Sequence, residues 1–252
     1  MRAVHIRNGA YVIRKIREIR ALRDRVSARR KEGLFIAEGE RLVAEIPAED
    51  IDSLYASESY ISSHHGADVD QVLPDDVYKK LSDTVHPQGI LAVVKMRMYD
   101  PEELPDGDLY MILESIQDPG NLGTIIRTAE AAGVTAVIMN KGCADVYSPK
   151  TVRSTMGSLF RVPFLYAEGI KEAVEIVKQK GATVYAADLG GKLLSDADIK
   201  GKRAFIIGNE GNGISEEAGE LADEKICIPM KGKVESLNAA VSAAILMYWR
   251  QR

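Results

Sequence analysis

Apolar positions repeat with two different periods along this chain. Over Val12–Lys31 the residues Ile16, Ile19, Leu22 and Val26 recur three and four apart, which predicts one amphipathic helix, and Gly33 ends it. Arg14, Arg17, Arg20, Arg23, Arg25, Arg29 and Arg30 occupy its other faces. Short apolar runs then alternate with helical patterns. Strands are predicted at Leu34–Ala37, Ser53–Ala56, Gln71–Leu73 and Ile90–Met96, with helices at Glu40–Ile46 and Asp75–Ser82. This alternation predicts a small α/β/α sandwich over residues 1–97. Tyr99–Gly107 holds two prolines, a glycine and four acids, so a linker is predicted at residues 98–107.

Residues 108–252 read as a second α/β domain. Leu109–Leu113, Val134–Met139, Phe164–Tyr166, Thr183–Ala187 and Ala204–Ile207 are predicted strands, and a further short one opens at Ile226. Helices are predicted at Leu122–Ala132, Ser148–Leu159, Ile170–Lys180, Ile214–Ala222 and Ala239–Arg252. Strands that are apolar throughout, separated by helices, indicate a parallel sheet covered on both faces.

Composition adds three constraints. The chain is 46% hydrophobic over 252 residues, enough for one large core or two smaller ones. The net charge of −4 conceals an asymmetry. Arg2–Lys31 carries eleven Lys or Arg against Glu18 and Asp24, so a basic end precedes an acidic remainder. Such a distribution points to a polyanion partner, or to a solvated helix face. Cys143 and Cys227 form no disulfide framework, and no residues show metal-ligand spacing. The adjacent His64 and His65 read as solvated, and Trp249 as core or dimer packing. No apolar run approaches the ~18 residues of a membrane span, and the amino terminus lacks a signal-peptide core, so a cytoplasmic location is expected.

In open parallel sheets ligands gather beyond the carboxyl ends of the strands, where three unusual loops fall. In Gln117–Ala129, Asn121 stands at a helix mouth and reads as its N-cap; Arg127 follows on the helix, as a functional cation or a salt-bridge partner. In Ile206–Ser215, Gly208, Gly211 and Gly213 allow close backbone approach. No Gly-Lys-Ser/Thr follows, and the spacing is G-x-x-G-x-G, which is neither a P-loop nor the dinucleotide fingerprint of a dehydrogenase. Glu210 inside this turn is expected to serve a specific hydrogen bond. In Ile226–Asn238, Pro229 ends the strand and either Ser236 or Asn238 can cap the last helix.

Taken together, Asn-x-Gly-x-x-x-Arg-Thr-Ala at Asn121–Ala129, Gly-Asn-Glu-Gly-x-Gly at Gly208–Gly213 and Ile-Pro-Met-x-Gly-x-x-x-Ser-Leu-Asn at Ile228–Asn238 resemble the three signature motifs of the SpoU family of RNA ribose 2′-O-methyltransferases, in the SPOUT superfamily. Arg153–Pro163 also resembles a stretch common in that family. KIREIRALRDR, GLFIAEGERLV and QGILAVV resemble its ribosomal-protein-like RNA-binding domain. The resemblance implies a deep trefoil knot in the carboxy-terminal SPOUT domain, S-adenosyl-L-methionine as cofactor and a homodimer formed through that domain. It implies cofactor contacts at Ile207, Gly208, Ile228, Met230 and Leu237, with Asn121, Arg127, Glu210, Ser236 and Asn238 around the reacting groups. The basic helix, through Arg14, Arg17, Arg23, Arg25, Arg29 and Arg30, would hold RNA phosphates. The implied substrate is large-subunit rRNA; tRNA and a non-catalytic ribosome-assembly role are the alternatives.

Overall fold

A computed structural model describes the backbone of residues 4–5 and 9–249 and the side chains of 13–249. Arg2 and Arg7 of the basic end, and the last three residues of the predicted terminal helix, lie outside the described residues. Two compact units emerge, one of Met1–Arg97 with Asp145–Phe160, the other of Met98–Ala144 with Arg161–Arg252.

The first unit contains β1 (Val4–His5), α1 (Gly9–Asp24), α2 (Val26–Glu32), β2 (Leu34–Glu38), α3 (Glu40–Ala44), β3 (Ile51–Ser57), α4 (Glu58–Ser63), β4 (Gln71–Leu73), α5 (Asp75–Leu81) and β5 (Ile90–Lys95). Its sheet runs β1-β4-β3-β5-β2 and is mixed, with β5 antiparallel to both of its neighbours. Ile19, Leu22, Ile36, Tyr55, Tyr78, Leu81 and Leu91 form the core between helices and sheet.

Besides the unpredicted edge strand β1, three features differ from the sequence expectation. The single helix predicted over 12–31 is two, because Arg25 is extended (φ −128°, ψ 119°). Helix α4 was not predicted; the Ser57 hydroxyl caps it by accepting from the Tyr60 amide at 3.1 Å. At its end His64 is not simply solvated. Its ring stacks on Tyr60 at 4.1 Å, and its Nε2 lies 3.3 Å from a Glu40 oxygen.

The third difference concerns domain membership. Residues 145–160, expected in the carboxy-terminal domain, group with the first unit. Polar and apolar contacts both draw them there. Arg29 donates from Nε (2.8 Å) and Nη2 (2.6 Å) to the Asp145 carboxylate, and from Nη1 to the Leu22 and Arg23 carbonyls. Phe35 packs on Tyr147 at 4.6 Å and on Phe160 at 6.3 Å. Helix α7 (Pro149–Thr155) begins under the Ser148 cap, with proline in its first turn. Removing one partner of a buried ion pair strands the other charge. Arg29→Ala should therefore lower unfolding free energy by about 3 kcal/mol in a urea melt, against under ~1 kcal/mol for an ordinary surface pair.

The second unit holds β6 (Leu109–Leu113), α6 (Pro119–Ala131), β7 (Ala136–Asn140), β8 (Phe164–Ala167), α8 (Ile170–Gln179), β9 (Thr183–Leu193), β10 (Arg203–Ile207), α9 (Glu216–Leu221), β11 (Glu224–Cys227) and α10 (Ala239–Met247). Its six strands run in the order β11-β9-β10-β6-β7-β8, and every pairing is parallel. All five residues of β6 are buried, as a strand covered on both faces requires. Helix α8 lays Ile170, Ala173, Val174 and Val177 on one face of the sheet, and α6 packs against α10. Among the described residues no helix is long and apolar enough to cross a membrane.

Strand β9 outruns its prediction. It pairs with β11 at Tyr185 and Ala186, then again at Lys192 and Leu193 after a register shift. Residues 187–191 bulge out of the ladder between those pairs. A side chain at Gly191 would meet the Lys225 and Ile226 backbone at 2.6 Å, so the bulge needs glycine there.

Candidate functional site

The bulge within β9 and the segments that follow the carboxyl ends of β10 and β11 wall one cleft of about 320 Å³. The β9 bulge supplies Ala187, Asp188 and Leu189. The loop after β10 supplies Gly208–Gly213, with Ile207 below it. The segment after β11 adds Ile228, Met230, Ser236 and Leu237, and Ala239 and Ser242 of α10 close the wall. All five cofactor positions implied by the resemblance therefore line a single cavity. Its size lies at the lower end of the range for small-molecule sites, and its walls join apolar side chains to exposed backbone.

The glycine-rich loop is a tight self-bonded turn. Asn209 and Gly213 exchange both backbone hydrogen bonds, at 2.8 and 2.9 Å. The Asn209 side-chain oxygen accepts from the Gly211 and Asn212 amides, and its Nδ2 donates to the Ser115 carbonyl at 2.8 Å. A Cβ on Gly208 would stand 2.1 Å from the Gly213 backbone, so this position takes glycine for want of space.

Beside the cleft, three residues from three separate motifs form a chain of hydrogen bonds. Asn238 donates from Nδ2 to Asn121 Oδ1 at 2.9 Å, and Asn121 donates from Nδ2 to Glu210 Oε1 at 3.0 Å. Glu210 also accepts from the backbone amides of Gln117 (3.1 Å) and Asp118 (3.0 Å). Desolvation pushes the Glu210 carboxyl up. The donors from Asn121, Gln117 and Asp118 outweigh it and hold the pKa below the ordinary 4.5. Stability from these bonds is complete above the ordinary value and is lost as pH falls through the lower folded-state value. Glu210 is thus an anion at neutral pH, already engaged by three donors.

The caps fall differently from one expectation. Asn121 does not cap α6; Asp118 does, its Oδ1 accepting from the Asn121 amide at 2.8 Å, with Pro119 next. The Asn121 side chain is thereby released for Glu210 and Asn238. Asn238 caps α10, accepting from the Ala240 and Val241 amides, whereas Ser236 faces the cleft. Arg127 does not line the cleft of its own chain. It stands on the exposed side of α6, and among the described residues its guanidinium has no hydrogen-bond or ion-pair partner.

Of the arginines assigned to RNA, Arg14, Arg17, Arg25 and Arg30 are exposed. Arg29 is a correction: only 3% of it is accessible, and its guanidinium is spent on Asp145 and two carbonyls. Arg23 is half-buried, bonded to Asp24 and to the Lys80, Leu81 and Ser82 carbonyls. Periodicity alone does not separate these two from their neighbours. Burial pushes the thiol of Cys143, near the carboxyl end of β7, up to about 11.

Comparison with known proteins agrees with this geometry. The SpoU rRNA Methylase family matches residues 108–248, and the MRM3-like substrate binding domain matches residues 14–92. The chain is 37% identical over 226 residues to the 23S rRNA (guanosine(2553)-2′-O)-methyltransferase RlmP of Bacillus subtilis, covering 87% of this chain and 89% of that protein. The AdoMet-bound rRNA methyltransferase of Sinorhizobium meliloti superposes with a TM-score of 0.82 at 28% identity, covering 98% of this chain and 96% of that one. The SpoU methyltransferase AviRb of Streptomyces viridochromogenes gives 0.82 at 28% identity over 93% and 95%. With two of the three motifs lining one cleft, the first hydrogen-bonded to both beside it, and the family matching more than half its length, the chain belongs to the SpoU rRNA methylase family.

Proposed function

We propose that this protein is an S-adenosyl-L-methionine-dependent methyltransferase acting on a ribose 2′-hydroxyl of large-subunit rRNA. One observation carries the reading: Asn121, Glu210 and Asn238, from three separate motifs, are hydrogen-bonded to one another beside the cleft. Relatives named for 23S rRNA ribose methylation support rRNA over tRNA.

The cleft suits the cofactor. The apolar Ile207, Ile228, Met230 and Leu237 would hold its adenosine, and the tight Gly208–Gly213 turn, which closes on itself because Gly208 has no side chain, would present its backbone to it. When bound, the cofactor supplies an electrophilic methyl group on a cationic sulfur. The remaining work falls to the chain. Glu210 fixes the Gln117–Asp118 loop, and Asn121 and Asn238 hold the helix starts of α6 and α10 together, a contribution of proximity and orientation. Arg127 is read as a positioning and electrostatic group. It orients the acceptor hydroxyl and the adjoining phosphate and favours negative charge developing on oxygen.

The carboxy-terminal unit is read as knotted; the return of β11 beside β9, next to the glycine loop that follows β10, supports this. The active form is read as a homodimer through α10. Val241 and Tyr248 are exposed, Ala244 and Ile245 are half-covered, and the four make one apolar helix face. The amino-terminal unit is read as the RNA-binding part, with Arg14, Arg17, Arg25 and Arg30 giving salt-dependent phosphate contacts.

Mapping ribose methylation in cells with and without the protein tests the substrate. One 2′-O-methyl mark in large-subunit rRNA should vanish without it. An unchanged rRNA pattern with a mark lost from tRNA would transfer the reading to tRNA.

A further inference from the structure

The cleft's glycine-rich wall is held by a residue outside the three motifs. Glu114 follows the last residue of β6 and is only 7% accessible. Its Oε2 accepts from the Ser215 amide at 2.8 Å and its Oε1 from the Ser215 hydroxyl at 2.6 Å. Ser215 is the first residue beyond the cleft-lining run Ile207–Ile214, and its hydroxyl oxygen in turn accepts the Ala218 amide, capping α9. The next residue, Ser115, pins the near end of the same loop, its carbonyl accepting from Asn209. Ser115 has φ 57°, a left-handed backbone uncommon for a residue with a side chain. Adjacent residues at the end of one strand thus grip both ends of the loop.

We infer that Glu114 is a positioning residue for the cofactor, clamping the Gly208–Gly213 wall through Ser215. This rests on the cofactor reading above. A buried carboxylate that accepts two hydrogen bonds from one residue fixes both its distance and its orientation. Nothing in helix capping requires it, since the Ser215 hydroxyl alone caps α9. The second acceptor serves the loop instead. In Glu114→Gln the amide oxygen can still accept from the Ser215 amide, but the NH₂ group then meets the Ser215 hydroxyl, which must turn from donor to acceptor, so two charge-assisted bonds become weaker neutral ones at unchanged volume.

The test measures S-adenosylhomocysteine affinity by calorimetry, with methyl-transfer KM and kcat and a melting curve beside it. Wild type, Glu114→Gln, Ser215→Ala and the double variant are compared. Glu114→Gln should raise Kd and cofactor KM about tenfold, with kcat at saturation within about twofold. Ser215→Ala should raise Kd by less. The double variant should fall well short of the product of the two effects, as for one shared interaction. A lower melting temperature with wild-type Kd and KM would overturn the inference and leave Glu114 a structural residue. Should Glu114→Gln fail to fold, Ser215→Ala decides alone: an unchanged Kd overturns the clamp, a raised one supports it. If wild type binds no S-adenosylhomocysteine, the cofactor reading itself fails, whatever the variants do.

Discussion

Arg127→Ala should abolish methyl transfer and leave the cofactor bound. The expected loss in kcat is about a thousandfold, the upper range for removing one group that stabilises developing oxyanion charge. S-adenosylhomocysteine should bind within about twofold of wild type, because Arg127 does not line the cleft that would hold it. Structural loss should be slight. The side chain is exposed on α6, and among the described residues it bonds to nothing, so its removal strands no partner. Arg127→Lys separates charge from shape. It keeps the cation but loses the planar fork, and only a small part of the rate should return if the fork orients a phosphate and a hydroxyl together. Lost affinity for S-adenosylhomocysteine in Arg127→Ala would instead place the residue in cofactor binding.

Gly208→Ala should raise the Kd for S-adenosylhomocysteine by about a hundredfold, the upper range of what one forced backbone shift costs. The added methyl would lie 2.1–2.2 Å from the Gly213 carbonyl group and the Ile214 nitrogen, which are backbone and have no rotamer to escape into. The turn would have to open, and the Asn209–Gly213 hydrogen bonds that close it would stretch. Gly211→Ala is the matched control. A methyl there meets only the Asn209 side-chain oxygen, at an ordinary 3.5 Å, and binding should stay within about threefold. Equal effects at the two positions would mean that general loop stiffness, and not the Gly208–Gly213 approach, sets affinity.

What the sequence discloses of this molecule follows from where each signal resides. Strands β6 and β10 are legible because burial on both faces leaves uninterrupted apolar runs, LYMIL and AFII. The outer half of β9 is not, because DLGGK has turn chemistry and becomes strand only through its pairing with β11. The break at Arg25 has no glycine or proline to announce it, and α4 is too short and polar to show a period. The cap of α6 was readable: Asp118 followed by Pro119 is a helix start, and placing it there frees Asn121 for Glu210. The motif residues were legible as residues, but their hydrogen bonds to one another were not, since Asn121 and Asn238 stand 117 positions apart. Glu114 is not legible, because it merely follows an apolar strand and its partner is 101 residues away. The grouping of residues 145–160 with the first unit depends on Arg29 meeting Asp145 and on Phe35 meeting Tyr147 and Phe160, and nothing local encodes those meetings.

Methyl transfer in vitro tests the central claim most directly. The purified protein is incubated with S-adenosylmethionine labelled in its methyl group and large-subunit rRNA that lacks ribose methylation, and the RNA is then digested to nucleosides. The account predicts label in a single 2′-O-methylnucleoside, at a linkage that resists alkaline cleavage, and none with Arg127→Ala. Label on a base, or an RNA that stays unlabelled while the protein holds S-adenosylhomocysteine, would contradict it.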